Sequence, residues 1–151
     1  MSKFQKAKSD VTALVDFLDY CEAEYEKGKE KLRVSGELQK EAASQPAWLG
    51  RYDELRAELK ALRNYYDGKA KRVRGSLYRE YLEKYARALQ KQDIEQYINS
   101  DKRWQSADDL YQEIAVIYEK FESLVEAFRS KGWMISHIVK LRSAGLEDAL
   151  I

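Results

Sequence analysis

The fold class follows from one segment, which reads WLGRYDELRAELKALRNYY over residues 48–66. Large apolar side chains recur in it at alternating intervals of four and three residues: Trp48, Tyr52, Leu55, Leu59, Leu62 and Tyr66. This two-in-seven pattern is typical of a helix that packs against another helix along a narrow stripe. The segment therefore predicts a long helix with a helical partner.

A second segment can supply that partner, because its apolar residues repeat the same intervals: Leu110, Ile114, Ile117, Phe121, Leu124 and Phe128. Two such stripes can pair as an antiparallel hairpin or bundle. Ala, Glu, Lys, Leu and Arg make up 75 of the 151 residues, a share that favours long helices when it is periodic. We therefore predict an all-α fold, a bundle of long antiparallel helices within a single domain of residues 1–151.

Local signals predict where the first helices begin and end. Ser9 and Asp10 can cap a helix over about residues 10–32, with Cys21 on its apolar stripe as a small buried side chain. Pro46 fits the first turn of the next helix, because proline lacks only an N–H that has no partner there. Gly68 fits its left-handed end.

The sequence then predicts an interruption. Residues 68–75 carry four cations between two glycines, a composition that favours an exposed loop or a frayed helix end. A helical pattern resumes at Ser76 and breaks at residues 99–101. Residues 106–109 resemble a capping box at the start of the second long helix, and Gly132 would end that helix.

The C-terminal part predicts a separate short helix over residues 133–142, stopped near Gly145. Its large apolar residues are Trp133, Ile135, Ile138, Val139 and Leu141. So many apolar groups on a ten-residue helix need neighbours on more than one side, which predicts contact with another subunit. The domain thus divides into an N-terminal helical region (1–43), core helices (44–132) and a C-terminal oligomerisation segment (133–151).

Several classes of protein are excluded by the sequence. The longest apolar run, residues 114–118, is far shorter than the ~20 residues of a membrane span, so we expect a soluble, cytoplasmic protein. One cysteine and one histidine, His137, form neither a disulfide scaffold nor a zinc site. No pair of nucleophile and base and no phosphate-binding glycine loop is recognisable, so we expect neither an enzyme nor a bound metal or cofactor.

Charge is distributed unevenly along the chain. Residues 56–91 contain eleven basic and four acidic residues, a net charge of +7, whereas the remainder of the chain carries −6. A cationic segment attached to an acidic body is typical of a protein that binds a polyanion. We therefore expect a basic DNA-binding segment within residues 56–91.

The candidate DNA-binding residues are the cations and aromatic residues at the centre of this segment: Lys60, Arg63, Tyr65, Tyr66, Lys69, Lys71, Arg72 and Arg74. Clustered cations bind phosphates by releasing counterions, and aromatic rings among them can stack on unpaired bases. A second interpretation stays open. Tyr66 can belong to the apolar stripe and Tyr65 to its flank, with the cations forming only a solvated surface.

Two motifs resemble one family. Residues 59–70, LKALRNYYDGKA, resemble the Leu-Lys…Tyr-Tyr-x-Gly segment of the UvsY recombination mediators of T4-like bacteriophages. Residues 127–142, AFRSKGWMISHIVKLR, resemble their closing segment, in which a basic residue, a glycine and an aromatic residue precede a short helix that ends in arginine. The likeness covers about residues 47–142.

The resemblance implies a helical protein that assembles into a ring through its C-terminal region in the host cytoplasm during phage infection. It implies binding of single-stranded DNA and assistance to a RecA-like recombinase in displacing the single-stranded-DNA-binding protein, without nucleotide hydrolysis. Lys60 matches the family's DNA-contacting lysine, whereas Leu62 occupies the position of its arginine and Arg63 follows one residue later. The alternative, from another functional class, is a coiled-coil scaffold or adaptor that does not bind DNA.

Overall fold

The computed structural model describes residues 1–85 and 88–145. Those residues form five helices and no strand: α1 (Lys3–Ser9), α2 (Val11–Glu30), α3 (Leu38–Lys84), α4 (Lys91–Ser100) and α5 (Lys102–Ser143). The predicted all-α class is confirmed. No helix among the residues described is both long and apolar enough to cross a membrane.

The chain divides into two compact units, and α3 and α5 each contribute to both. We call Met1–Glu58 together with the chain from Ile117 onward the terminal unit, and Leu59–Val116 the central unit. The central unit contains Lys60 through Arg74, the predicted DNA-binding residues. The terminal unit contains the apolar residues predicted to form the subunit contact.

The core of the terminal unit is formed by α2, the first part of α3 and the last part of α5. The ring of Tyr52 stacks on the ring of Phe128, with centroids 5.2 Å apart. The centroid of the Trp48 ring lies 6.5 Å from that of Phe128. Leu38, earlier on α3, packs against Ile135 and Ile138, later on α5. The two predicted stripes therefore pair antiparallel in this unit, as the sequence indicates.

The start of α2 and the environment of Cys21 also agree with prediction. The carboxylate of Asp10 accepts a hydrogen bond from the backbone N–H of Thr12 at 3.0 Å, which caps α2. Cys21 is fully buried in the terminal unit, and burial raises the pKa of its thiol to about 12. The thiol is therefore an unreactive core group.

The prediction that Pro46 begins a helix is wrong, because α3 starts at Leu38 and Pro46 lies inside it. A proline inside a helix removes one backbone hydrogen bond and costs about 3 kcal/mol. Contacts of the preceding turns oppose this cost: Leu38 is buried against α5, and Gln45 Nε2 donates to the carbonyl of Phe128. Tertiary packing thus decides the boundary.

The predicted loop over residues 68–75 is also wrong, because α3 continues through both glycines. Ala70 and Leu77 are 3% and 2% exposed, and Val73 packs on the cluster around Leu77. These three residues extend the apolar stripe of residues 48–66 by about three more turns of helix. The loop was predicted from the glycines and cations, whereas the apolar spacing continues through this segment and keeps it helical.

Helix α5 is longer at both ends than predicted. It begins after Asp101, whose Oδ1 accepts from the backbone N–H of Arg103 at 2.9 Å, so residues 106–109 lie inside the helix. It also continues through Gly132, so residues 133–142 are its last turns and not a separate helix. The predicted stop is confirmed, since Gly145 has φ +81° and donates to the carbonyl of Arg142.

Candidate nucleic-acid interface

Because α3 is helical through residues 60–74, the predicted DNA-binding residues are spread around a helix axis. At 100° per residue, four cations fall on one side of α3 within the central unit: Lys60, Arg63, Lys71 and Arg74. We call these four residues the cationic row. The row is roughly 21 Å long, since helix rise is about 1.5 Å per residue. One carboxylate, Asp67, lies among these cations on the same side of the helix.

The two lysines of the cationic row lie at the surface. Lys60 is exposed, and the side chain of Lys71 is 75% exposed. Lys71 Nζ pairs with Asp67 Oδ2 at 2.9 Å, and this hydrogen bond raises the pKa of Lys71, so the ammonium stays charged. A solvated pair of this kind is weak, and a phosphate can therefore compete with Asp67 for the ammonium.

The far end of the cationic row is held in place by neighbouring helices. Arg74 Nη1 donates to Asn99 Oδ1 on α4 at 3.1 Å, and its guanidinium carbon lies 4.9 Å from the ring centre of Trp104 on α5. A guanidinium over an indole face gains a cation–π attraction and keeps its full charge. Arg74 is therefore a fixed positive charge, whereas Lys60 and Lys71 are adaptable.

The remaining predicted residues do not join this row. Tyr65, Lys69 and Arg72 fall on the opposite side of α3, where Lys69 Nζ lies 5.0 Å from the ring centre of Tyr65. Arg72 is exposed and lines a shallow cleft with Arg103. Seven of the eight residues predicted as one patch are thus divided between two sides of one helix, and the eighth is Tyr66.

Tyr66 is buried in the apolar stripe. Its exposed fraction is 3%, and Tyr65 meets it edge to face with centroids 5.3 Å apart. A buried ring cannot stack on a base, so for Tyr66 the core interpretation is correct. Leu62, which occupies the position of the family's arginine, is also fully buried, while Arg63 on the adjacent flank is partly exposed.

Sequence reasoning missed the aromatic residues that follow the cationic row. Tyr78 and Tyr81 come four and seven residues after Arg74, which is the helical spacing of the row itself. This spacing is visible in the sequence, but neither tyrosine is among the eight candidate DNA-binding residues. Tyr81 does pack on the buried cluster of the central unit, and its hydroxyl is directed to Asp101.

The residues predicted to contact another subunit fall into two groups in the terminal unit. Trp133 is 79% exposed and Val139 is 44% exposed, and the neighbouring Met134 is 53% exposed. Ile135 and Ile138 are instead buried against Leu38 of the same chain, and Leu141 is partly buried. A subunit contact here would therefore use Trp133, Met134 and Val139, while the two isoleucines hold α5 to α3.

In the part of the chain that the structure describes, no three or more His, Cys, Asp or Glu side chains are grouped so that they could hold a metal ion. Comparisons with protein-family models, with curated proteins and with solved structures find no match to this chain. The geometry of the cationic row is thus the main basis for a functional proposal.

Proposed function

We propose that the chain is a single-stranded-DNA-binding recombination mediator. The observation that carries the proposal is the cationic row, with four cations and one carboxylate along one side of α3. Such a row binds phosphates without reading sequence, because the binding free energy comes mainly from counterion release. The resemblance of residues 59–70 to the UvsY mediators coincides with this row.

In this proposal the protein acts as a homo-oligomer, with a ring as the form that the resemblance implies. A single row with four cations binds weakly, but several rows on one assembly act on the same strand at high effective concentration. The exposed Trp133, Met134 and Val139 are the residues we assign to the subunit contact. A strand held along such an assembly would be presented to a RecA-like recombinase and loosened from its single-stranded-DNA-binding protein.

The alternative, a coiled-coil scaffold, would use the two heptad stripes to bind a partner helix. In the terminal unit Tyr52 already packs on both Phe121 and Phe128. Those parts of the stripes are therefore not available to a partner. This observation favours the DNA-binding proposal over the scaffold.

The test is the affinity for oligothymidylate as a function of salt, measured by fluorescence anisotropy. We expect log Kd to rise linearly with log salt in the wild-type protein. Lys60→Gln and Lys71→Gln should each weaken binding and reduce the slope, by about 0.7 for each phosphate of a single strand that is no longer neutralised. Both side chains are exposed, so neither substitution should lower the melting temperature.

Lys40→Gln is the matched control, since Lys40 is equally exposed but belongs to the terminal unit, whereas the row belongs to the central unit. It should leave affinity and slope unchanged. A salt-independent affinity, or equal losses of affinity in all three variants, would contradict phosphate binding by the cationic row.

A further inference from the structure

Three tyrosine rings of the central unit lie nearly parallel to one another. The ring centroids of Tyr81 and Tyr97 are 5.6 Å apart, those of Tyr85 and Tyr97 5.8 Å, and those of Tyr81 and Tyr85 6.3 Å. All three interplanar angles are between 15° and 17°. Because the separations are almost equal, no ring is sandwiched between the others, as a column of three would require. Each pair is stacked with its ring centres offset, and we call the three rings the tyrosine platform.

Tyr81 anchors this platform to the fold. Its hydroxyl donates to Asp101 Oδ2 at 2.8 Å, and its ring packs on the buried cluster of Leu77, Ile94 and Ile98. Asp101 is held in turn by the guanidinium of Arg103, at 2.9 Å. The ring of Tyr81 therefore has little freedom to reorient and gives the platform one fixed member.

The other two rings form the accessible part of the platform. Tyr85 and Tyr97 are 40% and 44% exposed, whereas Tyr81 is partly buried. Flat, exposed and nearly parallel aromatic rings suit a planar ligand that stacks.

The position of the platform indicates which planar ligand it takes. Tyr78 and Tyr81 continue the cationic row along α3, and Arg74 at the end of the row is hydrogen-bonded to Asn99, two residues beyond Tyr97 on α4. A strand whose phosphates follow the row therefore reaches the platform within the same compact unit. Its unpaired bases are planar, and their faces are open, whereas a duplex keeps its bases stacked inside the helix.

We infer that the tyrosine platform stacks unpaired bases of the strand whose phosphates lie along the cationic row. This inference rests on the proposed function and extends it. The row supplies attraction to any nucleic acid, and the platform supplies the preference for single strands. Sequence is still not read, because every base has a face that can stack on an aromatic ring.

The experiment compares two oligonucleotides of equal length, oligothymidylate and an abasic strand that has the same phosphates but no bases. The variant is the double substitution Tyr85→Ala/Tyr97→Ala, which leaves the anchoring Tyr81 in place. We expect it to weaken binding of oligothymidylate roughly 5- to 150-fold for each base that no longer stacks on a ring. Binding of the abasic strand and the salt slope on both strands should not change.

The matched control is Tyr85→Phe/Tyr97→Phe, which keeps both rings and should retain wild-type affinity. Circular dichroism checks that both double variants keep the helical content of the wild type. Full affinity of the alanine variant for oligothymidylate would overturn the platform, and so would an equal loss of affinity for the abasic strand. If the wild-type protein binds neither strand in a salt-dependent way, the proposed function itself fails, so the two failures can be told apart.

Discussion

At the scale of single residues, an ion pair between Lys131 and Glu41 joins two helices of the terminal unit. The side chain of Lys131 is 2% exposed, and its ammonium donates to Glu41 and, at 2.6 Å, to the backbone carbonyl of Lys31. Glu41 also accepts from the hydroxyl of Ser35 at 2.9 Å. One buried ammonium thus ties α5 to α3 and to the end of α2.

This contact gives the first stability prediction. Glu41→Gln removes the charge that balances the buried ammonium of Lys131, so the free energy of unfolding should fall by roughly 3 kcal/mol in urea denaturation at pH 7. Glu37→Gln is the control, because Glu37 pairs with Lys40 in full solvent and its replacement should cost less than about 0.5 kcal/mol. Equal effects of the two substitutions would contradict the importance of the buried pair.

The same pair predicts a pH dependence. The hydrogen bond from Lys131 lowers the pKa of Glu41 below its ordinary value of about 4.5. A carboxylate with a lowered pKa in the folded state stabilises that state above the ordinary pKa, and the contribution is lost as pH falls through the lowered value. The difference in the free energy of unfolding between the wild type and Glu41→Gln should therefore shrink as pH falls from about 5 to about 3, where carboxylates with a lowered pKa become protonated.

Residue-scale predictions from sequence succeeded where the apolar spacing was unambiguous. Cys21, Leu59 and Leu62 are fully buried as their stripes indicate. Tyr66 belongs to both the apolar stripe and the candidate DNA-binding set, and its burial favours the first of these two interpretations. The platform tyrosines could not be found in this way, because Tyr97 lies on another helix and its contact with Tyr85 arises from tertiary structure.

At the scale of elements, the continuity of α3 through Gly68 and Gly75 can be tested directly. A Cβ added at either glycine would meet no atom within 4 Å. Because alanine favours a helix over glycine by about 1 kcal/mol, Gly68→Ala and Gly75→Ala should each raise the free energy of unfolding by roughly 0.5–1 kcal/mol. The measurement is urea denaturation of each variant beside the wild type.

Gly28→Ala provides the opposite control, because a Cβ there would lie 2.8 Å from Leu124 Cδ2 in the buried core. Overpacking of this kind costs about 1–3 kcal/mol and should outweigh the gain in helix propensity. A flexible loop at residues 68–75 would instead give no gain from alanine. That result would contradict the continuous helix.

The elements show why the sequence predicted stripes better than boundaries. The spacing of apolar residues indicates which side chains are buried, and their burial is the dominant favourable contribution to folding. This spacing predicted α2 and the paired parts of α3 and α5. Glycine and proline report local backbone preferences of a few kcal/mol at most. At Pro46, Gly68 and Gly132 the packing of the surrounding residues exceeded those preferences, and only at Gly145, where α5 ends, did the local signal decide.

At the scale of the whole molecule, the exposed apolar residues near the end of α5 predict self-association. The double variant Trp133→Gln/Val139→Gln should shift the protein from an assembly to a monomer in native mass spectrometry. Its melting temperature should change little, because both side chains are exposed. Ile135→Ala is the contrasting variant, since the buried isoleucine supports the fold, and it should lower the melting temperature.

Point substitutions are better suited to this question than deletion of residues 133–151. Such a deletion would also remove Ile135 and Ile138 and so unpack them from Leu38. An unchanged assembly size in the double variant would place the subunit contact elsewhere. The predicted oligomerisation segment extends to residues 146–151, which lie outside the described residues.

The uninterrupted α3 has a consequence for how a strand is captured. A flexible loop of cations would have to lose backbone freedom on binding, at roughly 1–2 kcal/mol for each residue that becomes fixed. On a continuous helix the backbone is already ordered and the spacing of the charges is fixed, so binding costs no further backbone entropy. The nucleic acid must then adjust to the fixed spacing of the charges on α3. A flexible single strand can move its phosphates to match this spacing more readily than a stiff duplex can.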